Sequence, residues 1–281
     1  MVKTSYSKKE IVNIINSVAD LFGKPAQNTI LSENAGKHLL ELGLILRRLE
    51  DFQAPVRILD VGGGMGINLI CLRRLIGKEI KLSLIDQFEE YDDHNRMGNA
   101  AIGNRILRES GISVINQNFM DDPKFPFHAE SFDIITCFDV IEHLPSHPLR
   151  LFQEIKNVLT NNGVFIVGVP NAVSLHRRIK LLSGKHPYMP FDEWCQDKYF
   201  QHYREYSGSE MMKLLAMTGF IAEKTFLSLE PLATMAKNRY HSRHYKGFSL
   251  VSILLFLLYL LEKPLPNLRH TVYCVSKKED A

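Results

Sequence analysis

Hydrophobic positions near the N-terminus recur with the spacing of helices. Apolar residues fall at helical intervals over 11–22, and again at steps of three and four residues over 35–49. A Ser-x-x-Glu pattern at 7–10 is typical of a helix start, because its two side chains satisfy exposed N–H groups. Residues 1–52 are therefore predicted to form an N-terminal helical extension that packs on, or covers, a following domain.

From residue 56 the rhythm changes to short apolar runs separated by helical patterns. Strands are predicted at 56–61, 80–86, 112–116, 132–138, 164–169, 220–229 and 270–278, and helices at 67–76, 94–110, 148–159 and 210–218. A turn at Asn161-Asn162-Gly163 precedes the fifth strand. Alternation of strands and helices over more than 100 residues indicates a parallel sheet with helices on both faces.

Glycines cluster directly after the first predicted strand, at Gly62, Gly63, Gly64 and Gly66. Glycine permits positive φ and allows a ligand to approach main-chain N–H groups. The following helix presents unpaired N–H groups at its positive end. A dinucleotide fingerprint would need glycine at position 67, where isoleucine stands. The turn therefore predicts a small-molecule site at the carboxyl edge of the sheet.

Two acidic residues end the first two predicted strands. Asp86 can accept hydrogen bonds from both hydroxyls of a ribose, and Asp60 can orient the polar groups of a ligand through water or glycine N–H groups. Fewer than 30 residues separate them, which is the length of one β-α-β step. The acids and the glycine turn together indicate a ribose-containing cofactor.

Residues 56–170 resemble the class I S-adenosylmethionine-dependent methyltransferases. The resemblance rests on RILDVGGGMG at 57–66, FPFHAESFDIITCFDVIEHL at 125–144 and LFQEIKNVLTNNGVFIVGVPN at 151–171. HYREYSGSEMMKLLAMTGF at 202–220 resembles the subgroup that methylates small molecules, saccharides or lipids. The family usually has Pro-Gly-Gly where this chain has Asn161-Asn162-Gly163, a tolerable change because asparagine also accepts left-handed backbone.

The resemblance implies an α/β, Rossmann-like, doubly wound fold with a seven-stranded, mostly parallel sheet. The cofactor-binding core would span 53–171, a substrate-contacting insertion 172–206 would follow the fifth strand, and 207–281 would complete the sheet. The implied cofactor-binding residues are Asp60, Gly62, Gly63, Gly64, Gly66, Asp86, Gln87, Asn118, Phe119 and Phe138. Many relatives carry aspartate at the position of Asn118, so Asp121 is the alternative residue for that role.

A sulfonium methyl group is already electrophilic, so the enzyme chiefly positions the acceptor and excludes water. A hydroxyl acceptor also needs a base. We predict His143 as that base, acting with Glu142; a structural role for the pair is the alternative, and His147 and His202 are weaker candidates. Substrate contacts are predicted at Trp194, His202, Tyr203 and Arg204.

Asp139-x-x-Glu142-His143 raises the question of a metal. Some relatives with a similar segment bind a divalent cation, and these residue types are suitable ligands. The same residues are common in relatives without metal. No metal is therefore predicted, and S-adenosylmethionine is the expected cofactor.

Composition limits the partners and the compartment. A net charge of +3 gives little support for a nucleic-acid partner. The four scattered cysteines indicate reduced thiols and a cytoplasmic location, and the polar N-terminus makes export improbable.

One apolar segment admits two interpretations. Residues 247–261 carry no charge over 15 positions, too few for a comfortable membrane span. They are predicted to form a core helix or homodimer face, or an interfacial helix that follows the basic stretch 237–246. The second interpretation would favour a lipid-linked acceptor.

The sequence thus predicts methyl transfer to a hydroxyl oxygen of a small-molecule, saccharide or lipid-linked acceptor. One alternative is a protein that binds the cofactor without turnover and serves as a partner or regulatory subunit. A nucleotide-dependent oxidoreductase is a further alternative, disfavoured by Ile67.

Overall fold

The computed structural model describes most of the chain. The described residues are 6–24, 27, 30–31, 35–87, 100–118, 124–188, 191–196, 202–228, 257, 260–261 and 264–279.

Seven strands form one sheet: β1 Val56–Val61, β2 Ile80–Asp86, β3 Ser113–Asn116, β4 Phe132–Phe138, β5 Leu159–Pro170, β6 Phe220–Ser228 and β7 Thr271–Lys278. Their order is β3-β2-β1-β4-β5-β7-β6. All neighbouring pairs are parallel except those of β7, which runs antiparallel to β5 and β6. The predicted seven-stranded, mostly parallel sheet is confirmed.

The helices of the described residues are α1 Lys8–Ala19, α2 Ala35–Arg48, α3 Ile67–Ile76, α4 Ala100–Glu109, α5 Leu149–Val158, α6 Leu175–Leu182, α7 Phe191–Gln196 and α8 Gly208–Met217. Capping boxes form at the start of α1, between Ser7 and Glu10, and of α8, between Ser207 and Glu210. Each box satisfies N–H groups that the first turn of a helix leaves unpaired. Of the predicted helix 94–110, residues 94–99 lie outside the described residues.

The predicted turn before β5 is an excursion within that strand. Phe132 of β4 pairs with Leu159, whereas Ile134, two residues on, pairs with Val164. Residues 160–163 therefore bulge out of the ladder instead of ending it, and the strand begins at Leu159 rather than at residue 164. The bulge is compatible with asparagine and glycine, which accept irregular backbone.

Apolar side chains cover both faces of the sheet. Ile58 belongs to a cluster with α1, α2 and α3, whereas Leu59 belongs to a cluster with α5 and α8. Successive strand residues point to opposite faces, so a strand buried on both sides is apolar throughout. The N-terminal helices α1 and α2 thus pack into one of the two layers that enclose the sheet.

Little of the apolar segment 247–261 can be described. Leu257, Leu260 and Leu261 are helical and exposed, while the basic stretch 237–246 lies outside the described residues. Within the part of the chain that is described, no helix combines the length and the apolarity that crossing a membrane requires.

Candidate active site

The glycine turn lies where the strand order reverses. Strand β1 pairs with β2 on one side and β4 on the other, and the chain leaves β1 directly into Gly62. Gly62, Gly64 and Gly66 have φ of 68°, 54° and 66°, the left-handed region. A ligand in an open α/β sheet binds at such a switch point, so the turn is at the expected position.

A side chain is excluded from this turn by its neighbours. A Cβ at Gly62 would collide with Val140, and one at Gly66 would collide with Leu107 of α4. At Gly63 it would meet the carboxylate of Asp60. Packing therefore favours glycine at all three positions, and positive φ adds to this preference at Gly62 and Gly66. The main chain at the start of α3 thus stays free of side chains.

Asp86 faces the turn from the end of β2. Its side chain is buried and accepts a hydrogen bond from the Gly64 N–H through Oδ2, at 2.6 Å. Its Oδ1 accepts from the Gln87 N–H, at 2.7 Å. The structure thus brings the predicted ribose-binding carboxylate into contact with the glycine turn.

Asp60 lies next to the glycine turn, near the carboxyl end of the central strand β1. It is buried and accepts a hydrogen bond from Thr136 Oγ1 at 2.7 Å. Burial, with smaller contributions from the charges of Glu41 and Asp86, raises the pKa of Asp60 to about 7. The hydrogen bond from Thr136 opposes this shift only partly. Three carboxyl groups therefore converge here, and a cationic ligand would relieve their repulsion.

The other predicted cofactor residues are placed less completely. Gln87 directly follows β2, and Asn118 lies two residues after the end of β3; both are half-buried. Phe138, at the end of β4, packs edge-on against Tyr273 with ring centroids 6.0 Å apart. Phe119 and its neighbour Asp121 lie outside the described residues.

The loop after β4 buries acidic groups. Asp139 adopts φ of 52° and its Oδ2 is ion-paired with Lys37 of α2. The side chain of Glu142 is fully buried, and neither of its carboxylate oxygens has a hydrogen-bond partner in the described part of the chain. Burial raises the pKa of Glu142 to about 7.

The segment after residue 201 joins this loop through the main chain. The carbonyl oxygen of Glu142 accepts a hydrogen bond from the Tyr203 N–H at 2.8 Å. As a result, the rings of His143 and His202 meet edge to face, with centroids 4.8 Å apart. The Nε2 atom of His143 lies 4.0 Å from Oε1 of Glu142. The structure thus brings the predicted base together with one of its two alternatives; the other, His147, is exposed.

A buried carboxylate orients His202. The Nδ1 atom of His202 lies 2.7 Å from Oε1 of Glu205, and Arg177 of α6 is ion-paired with the same oxygen. Both Glu205 and Arg177 are buried. Sequence analysis did not select either of these residues. A carboxylate three positions after a histidine, within the recognised 202–220 motif, was the available signal for Glu205; Arg177 offered none.

The remaining predicted substrate residues differ in their surroundings. Tyr203 is exposed, and the guanidinium of Arg204 donates to Glu210 at 2.7 Å and lies over the ring of Tyr206. Trp194 lies in α7, and its side chain is outside the described part of the structure. Their roles in substrate binding stay predictions.

Three side chains could also hold a cation. One ligand atom each from Glu142, His143 and His202 lies within 4.8 Å of the others. Asp139, which the sequence pattern grouped with Glu142 and His143, is paired with Lys37. The prediction that no metal binds here stays a prediction.

A model of the methyltransferase domain family matches residues 35–224. This range covers β1 to β5, the glycine turn and the pair His143 and His202. The chain belongs to this methyltransferase family. The predicted class I S-adenosylmethionine-dependent methyltransferase family is thereby confirmed, and the match speaks against the oxidoreductase alternative.

Known members of this methyltransferase class show how far the similarity extends. A ubiquinone biosynthesis O-methyltransferase of Actinobacillus pleuropneumoniae is 31% identical over 120 residues, which are 41% of this chain and 46% of that protein. The chain thus spans about half the length of the curated relatives it matches.

Solved methyltransferase structures share the fold. Phosphoethanolamine N-methyltransferase 2 of Haemonchus contortus superposes with a TM-score of 0.57 at 16% identity, covering 99% of this chain and 59% of that one. A geranyl diphosphate methyltransferase superposes with a TM-score of 0.56 at 14% identity, covering 96% and 98%.

Proposed function

We propose that this protein binds S-adenosylmethionine and transfers its methyl group to a hydroxyl oxygen of a small-molecule or lipid-linked acceptor. The observation that carries the proposal is the contact between Asp86 and Gly64, which joins a ribose-binding carboxylate to a bare main-chain turn. Membership of the methyltransferase domain family supports the same chemistry.

The residues of the turn suit this cofactor. Asp86 would hold the ribose hydroxyls, and the main chain from Gly62 to Gly66 would lie along the methionine part. The buried carboxyl groups of Asp60 and Glu41 would favour a ligand with positive charge. S-adenosylmethionine supplies a methyl group on a positively charged sulfur, which needs no further activation.

The chain's own residues would then position the acceptor and remove its proton. His202 is the base that the geometry supports best, because the Glu205 carboxylate holds its Nδ1–H and leaves Nε2 for the acceptor. Nε2 of His202 would accept the hydroxyl proton while the acceptor oxygen takes the methyl group. The reaction would leave a methyl ether, S-adenosylhomocysteine and a protonated histidine. His143, in contact with His202, is the second candidate for this role.

The oxygen acceptor is supported by the relative from Actinobacillus pleuropneumoniae, which is named as an O-methyltransferase. The solved structure from Haemonchus contortus is an N-methyltransferase, and at 16% identity it supports the fold alone. A screen of phenols, sugars, amines and prenylated phenols, read out as S-adenosylhomocysteine formed, tests the acceptor class. Turnover on amines alone would contradict the proposal.

Cofactor binding is tested by calorimetric titration of S-adenosylhomocysteine and NAD into the wild type and Asp86→Asn. We expect the wild type to bind S-adenosylhomocysteine, and Asp86→Asn to bind it about tenfold or more weakly, because charge-assisted hydrogen bonds are lost. Asp133→Asn is the matched control: Asp133 pairs with Arg57 at the opposite edge of the sheet and should leave affinity unchanged. Binding of NAD alone would overturn the proposal, and binding without turnover on any acceptor would support the non-catalytic alternative.

The role of Glu205 gives a separate prediction. Glu205→Gln should lower kcat by roughly 10²-fold, because loss of base catalysis is worth about 10²–10⁴-fold. His202→Asn should lower kcat by at least as much, and the exposed control His147→Asn should leave kcat unchanged. If His143→Asn lowers kcat and His202→Asn does not, His143 is the base.

A chelator separates general-base from metal chemistry. If the three-residue cluster of Glu142, His143 and His202 acts without metal, dialysis against EDTA should leave turnover unchanged. Loss of turnover that a divalent cation restores would show that these side chains serve as ligands.

A further inference from the structure

Helix α6, within the insertion, is amphipathic in the reverse of the usual sense. Its buried residue is the charged Arg177. Three of its four apolar residues are exposed: Ile179 is 38% exposed, Leu181 58% and Leu182 88%. Ile179 and Leu182 lie roughly 140–160° around the helix axis from Arg177, at about 100° per residue, whereas Leu181 lies about 40° from it and is exposed at the last turn of the helix. We call Ile179, Leu181 and Leu182 the apolar tip of α6.

An apolar group costs free energy when it stays in water. A surface helix in a soluble domain normally buries its apolar stripe and exposes its charges. Isolated exposed leucines need no explanation, but neighbouring ones at the end of one helix indicate a contact surface.

The segment that carries the apolar tip has charge of one sign. Residues 172–188 contain four lysine and arginine residues and no acidic residue. Two of these four cations have partners within the protein: Arg177 is ion-paired with Glu205, and Lys180 donates to the Tyr188 carbonyl at 3.0 Å. Arg178 and Lys185 are exposed, so the apolar tip is bordered by positive charge. A surface that combines apolar and negatively charged groups would complement it.

The apolar tip is connected to the candidate active site. On the inner side of α6, Arg177 pairs with Glu205, and Glu205 orients His202. Arg177 also lies over the ring of Tyr188, 5.2 Å from its centroid. A partner that binds α6 would therefore be linked to His202 through Arg177 and Glu205.

We propose that the apolar tip of α6 and its flanking cations dock on an anionic lipid bilayer. Leucine side chains would enter the region between headgroups and acyl chains, and Arg178 and Lys185 would face lipid phosphates. The docking itself does not depend on the proposed function. Its consequence does: a docked enzyme would take its acceptor from the membrane.

The test is co-sedimentation of the full chain with vesicles of phosphatidylcholine, alone or with phosphatidylglycerol. We expect binding to the anionic vesicles that weakens as salt is raised. The double variant Leu181→Asp/Leu182→Asp should lose about tenfold or more of this affinity, since two apolar groups no longer enter the bilayer. Lys185→Glu should weaken binding to anionic vesicles only.

A matched control distinguishes docking through the apolar tip from non-specific adsorption to vesicles. Met217 on α8 is 60% exposed, close to the 58% of Leu181, so Met217→Asp should leave vesicle binding unchanged. Titration of S-adenosylhomocysteine into the double variant should match the wild type. Vesicle binding without cofactor binding in the wild type would sink the proposed function and leave the docking intact.

Two results would overturn the proposal. One is equal vesicle affinity of the wild type and the double variant. The other is a concentration-dependent dimer, seen by sedimentation velocity, that the double variant abolishes, because the apolar tip would then bind a second copy of the chain.

Discussion

At the residue scale, Gly66 shows how one position serves both fold and site. It ends the turn with φ of 66° and is the N-cap of α3. The space that a Cβ would occupy is filled by Leu107. Left-handed backbone and close packing therefore act together, and the ligand-facing main chain stays bare as a consequence.

We expect Gly66→Ala to lower the free energy of unfolding by about 3 kcal/mol, from left-handed strain and from overpacking against Leu107. Gly111→Ala is the matched control, because Gly111 has φ of 69° with no atom within 4 Å of its Cβ position. It should lose only about 1 kcal/mol. Urea unfolding and S-adenosylhomocysteine titration measure both variants. Equal losses would show that packing at Gly66 is unimportant.

At the element scale, α2 is attached to the sheet by a buried carboxylate. Glu41 accepts hydrogen bonds from Asn68 of α3 at 2.8 Å and from the Tyr273 hydroxyl of β7 at 3.2 Å. Lys37, one turn earlier, pairs with Asp139 after β4. Helix α2 thus contacts α3, β7 and the loop after β4, all next to the candidate site, so its attachment helps to fix the arrangement of that site.

Glu41→Ala should cost about 3 kcal/mol of unfolding free energy, because Asn68 and Tyr273 are left buried without their acceptor. It should also weaken S-adenosylhomocysteine binding, since α2 loses its attachment beside the turn. Glu50→Ala, at an exposed position after the same helix, should change neither by more than about 0.5 kcal/mol. Chemical denaturation and calorimetry give the two readouts, and indistinguishable behaviour of the two variants would contradict this role of Glu41.

At the scale of the whole molecule, buried carboxyl groups collect at the carboxyl edge of the sheet. Asp60 and Glu142 both have a pKa raised to about 7 by burial. At these two groups the folded state therefore binds more protons than the unfolded state between about pH 4 and 7. Their contribution to the free energy of unfolding is fully present below about pH 4 and is lost as the pH rises through about 7. Burial of His270, which lowers its pKa to about 3, acts in the opposite direction.

The ligand-free protein should thus unfold more easily at pH 8 than at pH 5. Glu142→Gln should remove about 2 kcal/mol of that difference, because the group can no longer ionise. The exposed control Glu109→Gln should leave the difference unchanged. Urea midpoints at the two pH values measure the effect, and the same pH dependence in the wild type and Glu142→Gln would show that Glu142 is not protonated in the fold.

Local patterns determined the elements and the cofactor half of the site. Periodicity placed the seven strands to within a few residues, except that β5 begins five residues before its predicted start. The spacing of Asp60, the glycines and Asp86, together with the family resemblance, predicted the cofactor residues. These features are readable because burial, helix capping and positive φ are properties of a residue and its near neighbours in the chain.

The acceptor half was decided by tertiary structure. The contact of His202 with His143 and the ion pair of Lys37 with Asp139 join distant segments, and Tyr273 lies 232 residues from its partner Glu41. Such pairs follow from strand order, which inserts β7 between β5 and β6, and from helix packing. Neither leaves a local periodic signal, because a long-range contact depends on the relative placement of whole elements.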